Sequence, residues 1–197
     1  MPETPRRDFL KAAAVIAAPA IIKAQTVTNA IKVGLVGAGG RGTGAASQAL
    51  KADDYAELTA VADVSTEQIN ASLTRIEHIN GAKVKVADGN KYLGFDAYKQ
   101  VIDSDIDVVL LCTPPGFRPG HLRYAVEKNK HIFTEKPMAV DPTGIRSVIE
   151  SVRMAKEKNK SVVDGFMWRY ANHISELMEQ VHKGIIGDVL SYYATYY

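Results

Sequence analysis

Ala30-Ile31-Lys32-Val33-Gly34-Leu35-Val36 runs straight into Gly37-Ala38-Gly39-Gly40-Arg41-Gly42. The first seven residues form an apolar run of strand length, and the glycines fit G-x-G-x-x-G at Gly37, Gly39 and Gly42. Thr43 to Lys51 follows as a helix with a small apolar face of Ala45, Ala46, Ala49 and Leu50. Asp53-Asp54 breaks it, Glu57 to Ala62 reads as a second strand, and Asp63 closes that strand. Each part has a physical task. Gly37 permits a tight turn, Gly39 lets a pyrophosphate approach the backbone, and Gly42 lets helix and strand lie close. The diphosphate of a dinucleotide then meets the free N–H groups and positive dipole end of the helix. Asp63 is placed to accept from the adenosine ribose hydroxyls. A carboxylate there repels the extra phosphate of NADP, so the expected cofactor is NAD. Arg41 is a phosphate contact or a solvated loop arginine.

Outward from this unit the alternation continues. Helices are expected over Ser65 to Ile79, Asp96 to Ser104, Pro119 to Lys128 and Thr143 to Lys158. Strands are expected over Lys83 to Ala87, Asp107 to Cys112, His131 to Thr134 and Ser161 to Phe166. This rhythm predicts an α/β fold with a doubly wound parallel sheet and ligands at the carboxyl ends of its strands. Two further strand ends belong to that edge: Cys112 leading into Thr113-Pro114-Pro115, and Thr134 leading into Glu135-Lys136-Pro137. A lysine there can assist proton transfer from a substrate hydroxyl, the more so if its ammonium is desolvated.

Composition narrows the function classes. The chain has 197 residues, 46% hydrophobic and 23% charged, which suits a globular protein and not a disordered one. Its net charge of +2 arises within residues 1–25; the remainder balances 20 basic against 20 acidic residues. No basic excess exists to neutralise nucleic-acid phosphates. A single cysteine, Cys112, excludes an internal disulfide and a cysteine-based zinc site, and no apolar run approaches membrane-spanning length. His131, His173 and His182 show no metal-ligand spacing, so no metal is expected.

The N-terminus, MPETPRRDFLKAAAVIAAPAIIKAQ, joins Arg6-Arg7-Asp8-Phe9-Leu10-Lys11 to an apolar run from Ala12 to Ile22. It resembles a twin-arginine export signal over residues 1–25, with cleavage after Ala20 or Ala24. The implied partner is the twin-arginine machinery and the implied location is periplasmic or otherwise exported.

The glycine turn, Asp63, Thr113-Pro114-Pro115, His121 and Glu135-Lys136-Pro137 together resemble the Gfo/Idh/MocA oxidoreductases, which have a Rossmann NAD(P)-binding domain. The likeness extends through Gly165-Phe166-Met167-Trp168-Arg169-Tyr170 and Gly184-Ile185-Ile186-Gly187-Asp188-Val189. It implies a dinucleotide-binding domain over 30–165 and the start of a second, α+β domain over 166–197, with Val189 to Tyr197 as its first strand. It also implies that the chain is part of a longer enzyme, able to form homo-oligomers through that second domain. Cofactor contacts are implied for Gly37, Ala38, Gly39, Gly40, Arg41, Gly42, Asp63, Cys112, Thr113, Pro114, His121, Glu135, Lys136, Trp168 and Arg169. Lys136 is implied as the catalytic residue. His121 is read as structural in preference to a proton donor, and Cys112 as a pocket-lining residue in preference to a nucleophile.

The implied activity is hydride transfer between a sugar or cyclitol carbon and tightly held NAD. Two alternatives stand beside it. One is an NAD-dependent glycosidase that oxidises its sugar transiently, although such relatives tend to depart from Glu-Lys-Pro. The other is a non-catalytic nucleotide-binding remnant.

Overall fold

A computed structural model describes residues 30–195. Six strands form one sheet: β1 (Ile31–Val36), β2 (Ala56–Asp63), β3 (Lys91–Leu93), β4 (Val108–Leu111), β5 (His131–Thr134) and β6 (Val162–Asp164). Their order is β3-β2-β1-β4-β5-β6, and every neighbouring pair is parallel. The chain starts in the middle of the sheet, winds to one edge, returns and winds to the other. The reversal lies between β1 and β4, where an open parallel sheet forms its ligand crevice.

The strands are apolar on both faces because both are covered. Leu35 and Leu110 face α1 (Gly40–Ala52) and α2 (Thr66–Asn80), packing with Ala46, Leu50, Leu73 and Ile76. Val36, Val109 and Leu111 face the other side. There they meet Val101 and Ile102 of α3 (Ala97–Asp103), Leu122 and Val126 of α4 (Arg118–Glu127), and Val148 of α5 (Pro142–Glu157). Ser65 caps α2 by accepting from the Gln68 N–H, and Asp141 caps α5 by accepting from the Gly144 N–H. The same tripeptide ends two helices. In Lys128-Asn129-Lys130 and Lys158-Asn159-Lys160 the asparagine takes a positive φ, and the last N–H bonds back to Ala125 or Ala155.

The structure departs from expectation in four places. The third strand is Lys91–Leu93, not Lys83 to Ala87, where only Val84 makes an isolated bridge to Leu58. The Asp88–Asn90 turn intervenes, and the Asn90 amide donates to the Thr59 carbonyl, bringing the next three residues beside Val61 to Asp63. The first helix begins at Gly40, not Thr43, because glycine and arginine continue it without strain into the turn. A helix not read from the sequence, α6 (Asn172–His182), follows a short 3-10 turn at Met167–Tyr170 and buries no side chain among the described residues. Beyond it, residues 188–195 form no strand, since no partner strand stands beside them among the described residues. The export-signal reading of residues 1–25 lies outside the described residues.

The tightest constraint is at Gly42. A Cβ there would lie 1.9 Å from the Gly37 carbonyl oxygen, backbone against backbone. Gly42→Ala is expected to destabilise the chain by about 1–3 kcal/mol in urea unfolding. Gly89→Ala, where an added Cβ meets nothing within 4 Å, is expected to stay within about 0.5 kcal/mol of wild type. Equal stability of the two variants would contradict this geometry.

Candidate active site

At the carboxyl edge of the sheet the strand-end loops enclose a cleft of about 740 Å³. Its walls come from the glycine turn after β1, Asp63 and Val64 after β2, Gly94 and Phe95 after β3, Cys112 to Pro115 after β4, and Glu135-Lys136 after β5. Tyr98, Phe117, Arg118 and His121 complete it.

The glycine turn is held in a form that other residues would not allow. Gly37 has φ +93°, and a Cβ on it would lie 2.8 Å from the backbone of Cys112 and of Thr113. Gly39 lines the cleft, and a side chain there would project into open space where a ligand could otherwise sit. Gly39 is the N-cap of α1, with no side-chain cap and no acidic residue in the first turn. The first N–H groups of the helix are thus left for an anion. Asp63 ties this turn to the next strand. One carboxylate oxygen accepts from the Ala38 N–H at 2.7 Å, and the other from the N–H groups of Val64 and Ser65 at 2.7 and 3.1 Å. An oxygen that accepts one bond can take another, so Asp63 retains capacity toward a hydroxyl in the cleft. This set fits a dinucleotide: an anion-ready helix end, an unfilled glycine, and a carboxylate at the end of the adjoining strand.

On the other side of the cleft stands Glu135, buried, with its backbone N–H bonded to the Leu111 carbonyl. Arg41 reaches across from α1 and donates from Nε to Oε1 of Glu135 at 2.6 Å. Arg41 is therefore neither a free loop arginine nor wholly available to a phosphate. Gly165 leaves the space that the Glu135 carboxylate fills, since a Cβ there would lie 2.7 Å from Oε1. Lys136 lines the cleft with its side chain exposed, not desolvated as the sequence suggested. The Lys136–Pro137 bond is cis.

His121 is buried, stacked on Tyr98 at 4.0 Å between ring centroids, with Nδ1 3.2 Å from the Thr113 hydroxyl. Burial, assisted by the nearby Arg118 cation, pushes its pKa down to about 4, so the imidazole is neutral near pH 7. Burial, then the Glu135 charge, pushes the Cys112 thiol up to about 12, which leaves it protonated and unreactive as a nucleophile.

Ala38 is a core residue and offers only its N–H, while Gly40 faces a second groove between α1 and α2. Trp168 and Arg169 sit exposed on the 3-10 turn and do not line the cleft. Sequence reasoning did not single out Phe95, Tyr98, Arg118 or the role of Gly165. Phe95, Tyr98 and Arg118 carry no motif role along the chain, and Gly165, though it opens a motif, acts here through its tertiary contact with Glu135. Among the described residues no group of three or more His, Cys, Asp or Glu is placed to hold a metal ion, and no helix is long and apolar enough to cross a membrane.

Residues 31–166 match the Gfo/Idh/MocA family, described as an oxidoreductase family with an NAD-binding Rossmann fold. The chain belongs to this family. An inositol 2-dehydrogenase/D-chiro-inositol 3-dehydrogenase of Lacticaseibacillus casei is 32% identical over 160 residues, which is 81% of this chain and 42% of that protein. A D-glucoside 3-dehydrogenase of Escherichia coli K12 is 25% identical over 168 residues, 85% of this chain and 44% of that protein. The crystal structure of myo-inositol dehydrogenase from Lactobacillus casei with NAD(H) and myo-inositol superposes with a TM-score of 0.61 at 30% identity, covering 80% of this chain and 43% of that one. A 3-ketoreductase from Actinomadura kijaniata in complex with NADP shares the fold, with a TM-score of 0.62 at 22% identity over 82% of this chain and 46% of that one. The chain thus spans less than half the length of these relatives.

The His121 environment sets a pH dependence. Its folded pKa of about 4 lies below the ordinary 6.5. The unfolded chain therefore binds the extra proton in that window, and stability falls as pH drops from 6.5 toward 4, by up to about 1.4 kcal/mol per unit. Urea midpoints measured across this range should fall less steeply in His121→Gln than in wild type. Parallel slopes would contradict a buried neutral imidazole.

Proposed function

We propose that this chain is the dinucleotide-binding part of an exported NAD-dependent oxidoreductase that acts on the CH–OH group of a sugar or cyclitol. The observation that carries this reading is the convergence of the glycine turn, Asp63 and Lys136 on one cleft. The inositol dehydrogenase relatives support the substrate class. The N–H groups of Gly40 to Gly42 receive the diphosphate, and Asp63 accepts from the adenosine ribose, which disfavours a 2′-phosphate. When bound, NAD supplies the hydride acceptor or donor at its nicotinamide. Lys136, at the rim of the same cleft, hydrogen-bonds the substrate hydroxyl and assists movement of its proton. Glu135 lies beside it toward the nicotinamide ribose. His121, buried and neutral, supports Thr113 and the aromatic wall.

Export follows from the twin-arginine-like N-terminus. Little free nicotinamide is expected outside the cytoplasm, so the cofactor stays bound and is recycled in place. Retention of Glu135-Lys136-Pro137 favours the oxidoreductase over a glycosidase that uses NAD transiently.

In the full-length protein, Lys136→Ala should lower polyol-dependent reduction of NAD by about 10²–10⁴-fold while calorimetry finds NAD still bound. Undiminished turnover would remove Lys136 from the chemistry. NAD should bind about tenfold or more tightly than NADP, a gap of about 1.4 kcal/mol, and Asp63→Asn should narrow it. Equal affinity of wild type for both nucleotides would refute the role given to Asp63.

A further inference from the structure

Lys136 stands between two residues that are each held by an arginine. On one side is Glu135, whose carboxylate is gripped by Arg41 at 2.6 Å and backed by the bare Cα of Gly165. On the other is Pro137, whose carbonyl accepts from Arg118.

Arg118 is an unusual residue to find there. It is only 2% exposed and has no carboxylate within ion-pair distance among the described residues. Burying a cation without a counter-ion is costly unless its N–H groups are satisfied. Its two terminal nitrogens donate to backbone carbonyls on different loops, Thr113 after β4 and Pro137 after β5, while Nε stays buried without a partner. An apolar residue could fill the volume at lower cost. What the guanidinium adds is a planar fork that sets the spacing of the two loops that follow the neighbouring strands β4 and β5. Pro119 follows it directly and lies within reach of Gly144 at the start of α5, where a Cβ would come within 3.2 Å of the proline ring. The fork is thereby seated on a helix and not on a free loop.

We propose that Arg118 and Arg41 are positioning residues for Lys136, acting through the Pro137 carbonyl and the Glu135 carboxylate. With both neighbours anchored, the Lys136 backbone is fixed and only its own side-chain torsions are free. A proton-handling amine needs that placement, because small misplacements of a reacting group are expensive in rate. This inference rests on the role given to Lys136 above. It also assigns Arg41 to Glu135 ahead of the diphosphate.

The test uses the full-length protein carrying Arg118→Lys or Arg41→Gln. Acylation of Lys136 by an amine-reactive reagent is followed by mass spectrometry with and without NAD. NAD affinity is measured by calorimetry, and amide hydrogen exchange is measured without nucleotide. In wild type, NAD should protect Lys136. At NAD concentrations that the measured affinity of each variant shows to be saturating, each variant should lose about tenfold of that protection, the scale of one charge-assisted hydrogen bond. Lysine does not rescue, because one ammonium cannot reproduce the fork. Exchange should rise in residues 113–117 and 135–139 together for Arg118→Lys, and in 135–139 for Arg41→Gln. Unchanged protection and exchange in both variants would overturn the proposal. If NAD fails to protect Lys136 in wild type, the functional reading fails, and exchange alone then decides whether the arginines hold the loops. If Arg118→Lys does not fold, Arg41→Gln carries the same decision.

Discussion

The contact between Gly42 and the Gly37 carbonyl is the constraint from which the site grows. With no Cβ at residue 42, α1 can start within one turn of β1 and lie almost against it. The small face of Ala45 and Ala46 continues that close approach along the sheet. The helix N-terminus is thereby aimed over the edge between β1 and β4, where the winding of the sheet reverses. A bulkier residue would lift the helix, and the row of free N–H groups would no longer face the crevice.

Beside the backbone bonds of the sheet, charged side chains tie together the ends of four strands, β1, β2, β4 and β5. Asp63 bonds the turn after β1 to the end of β2. Arg41 bonds the start of α1 to the end of β5. Arg118 joins the loops after β4 and β5. These are charge-assisted bonds, stronger than neutral ones and more directional than hydrophobic contact. The apolar layers give the sheet its stability, and these few groups give the cleft its shape. Most of the walls needed for a dinucleotide therefore exist before any ligand arrives, which lowers the ordering cost of binding.

The fold was legible because its signals are local. Apolar strand runs, a helix-sized interval between them and a glycine turn with an acid at the next strand end are all patterns along the chain. The third strand was misplaced because Val84 and Val86 alternate like a strand, while the true strand, Lys91–Leu93, is three residues long and defined by its pairing with β2. The candidate site was legible where motif and geometry coincide, at Gly37, Gly39, Asp63, Glu135 and Lys136. It was illegible where a residue matters through a distant partner. Nothing in the local sequence says that Gly165 must be bare to admit the Glu135 carboxylate, or that Arg118 spends its charge on two carbonyls. Trp168 and Arg169 were expected at the cofactor and lie outside the cleft lining.

The central claim is that the cleft at the carboxyl edge receives the dinucleotide with its diphosphate on the first turn of α1. The most direct measurement is an amide chemical-shift titration of isotopically labelled protein with NAD. The largest shifts should fall on Gly39, Gly40, Arg41 and Gly42, with further shifts at Val64 and Gly94 beside Asp63. Saturable binding that leaves those amides unmoved, or that shifts only Thr74, Arg75, His78 and Ile79 in the groove between α1 and α2, would contradict the account.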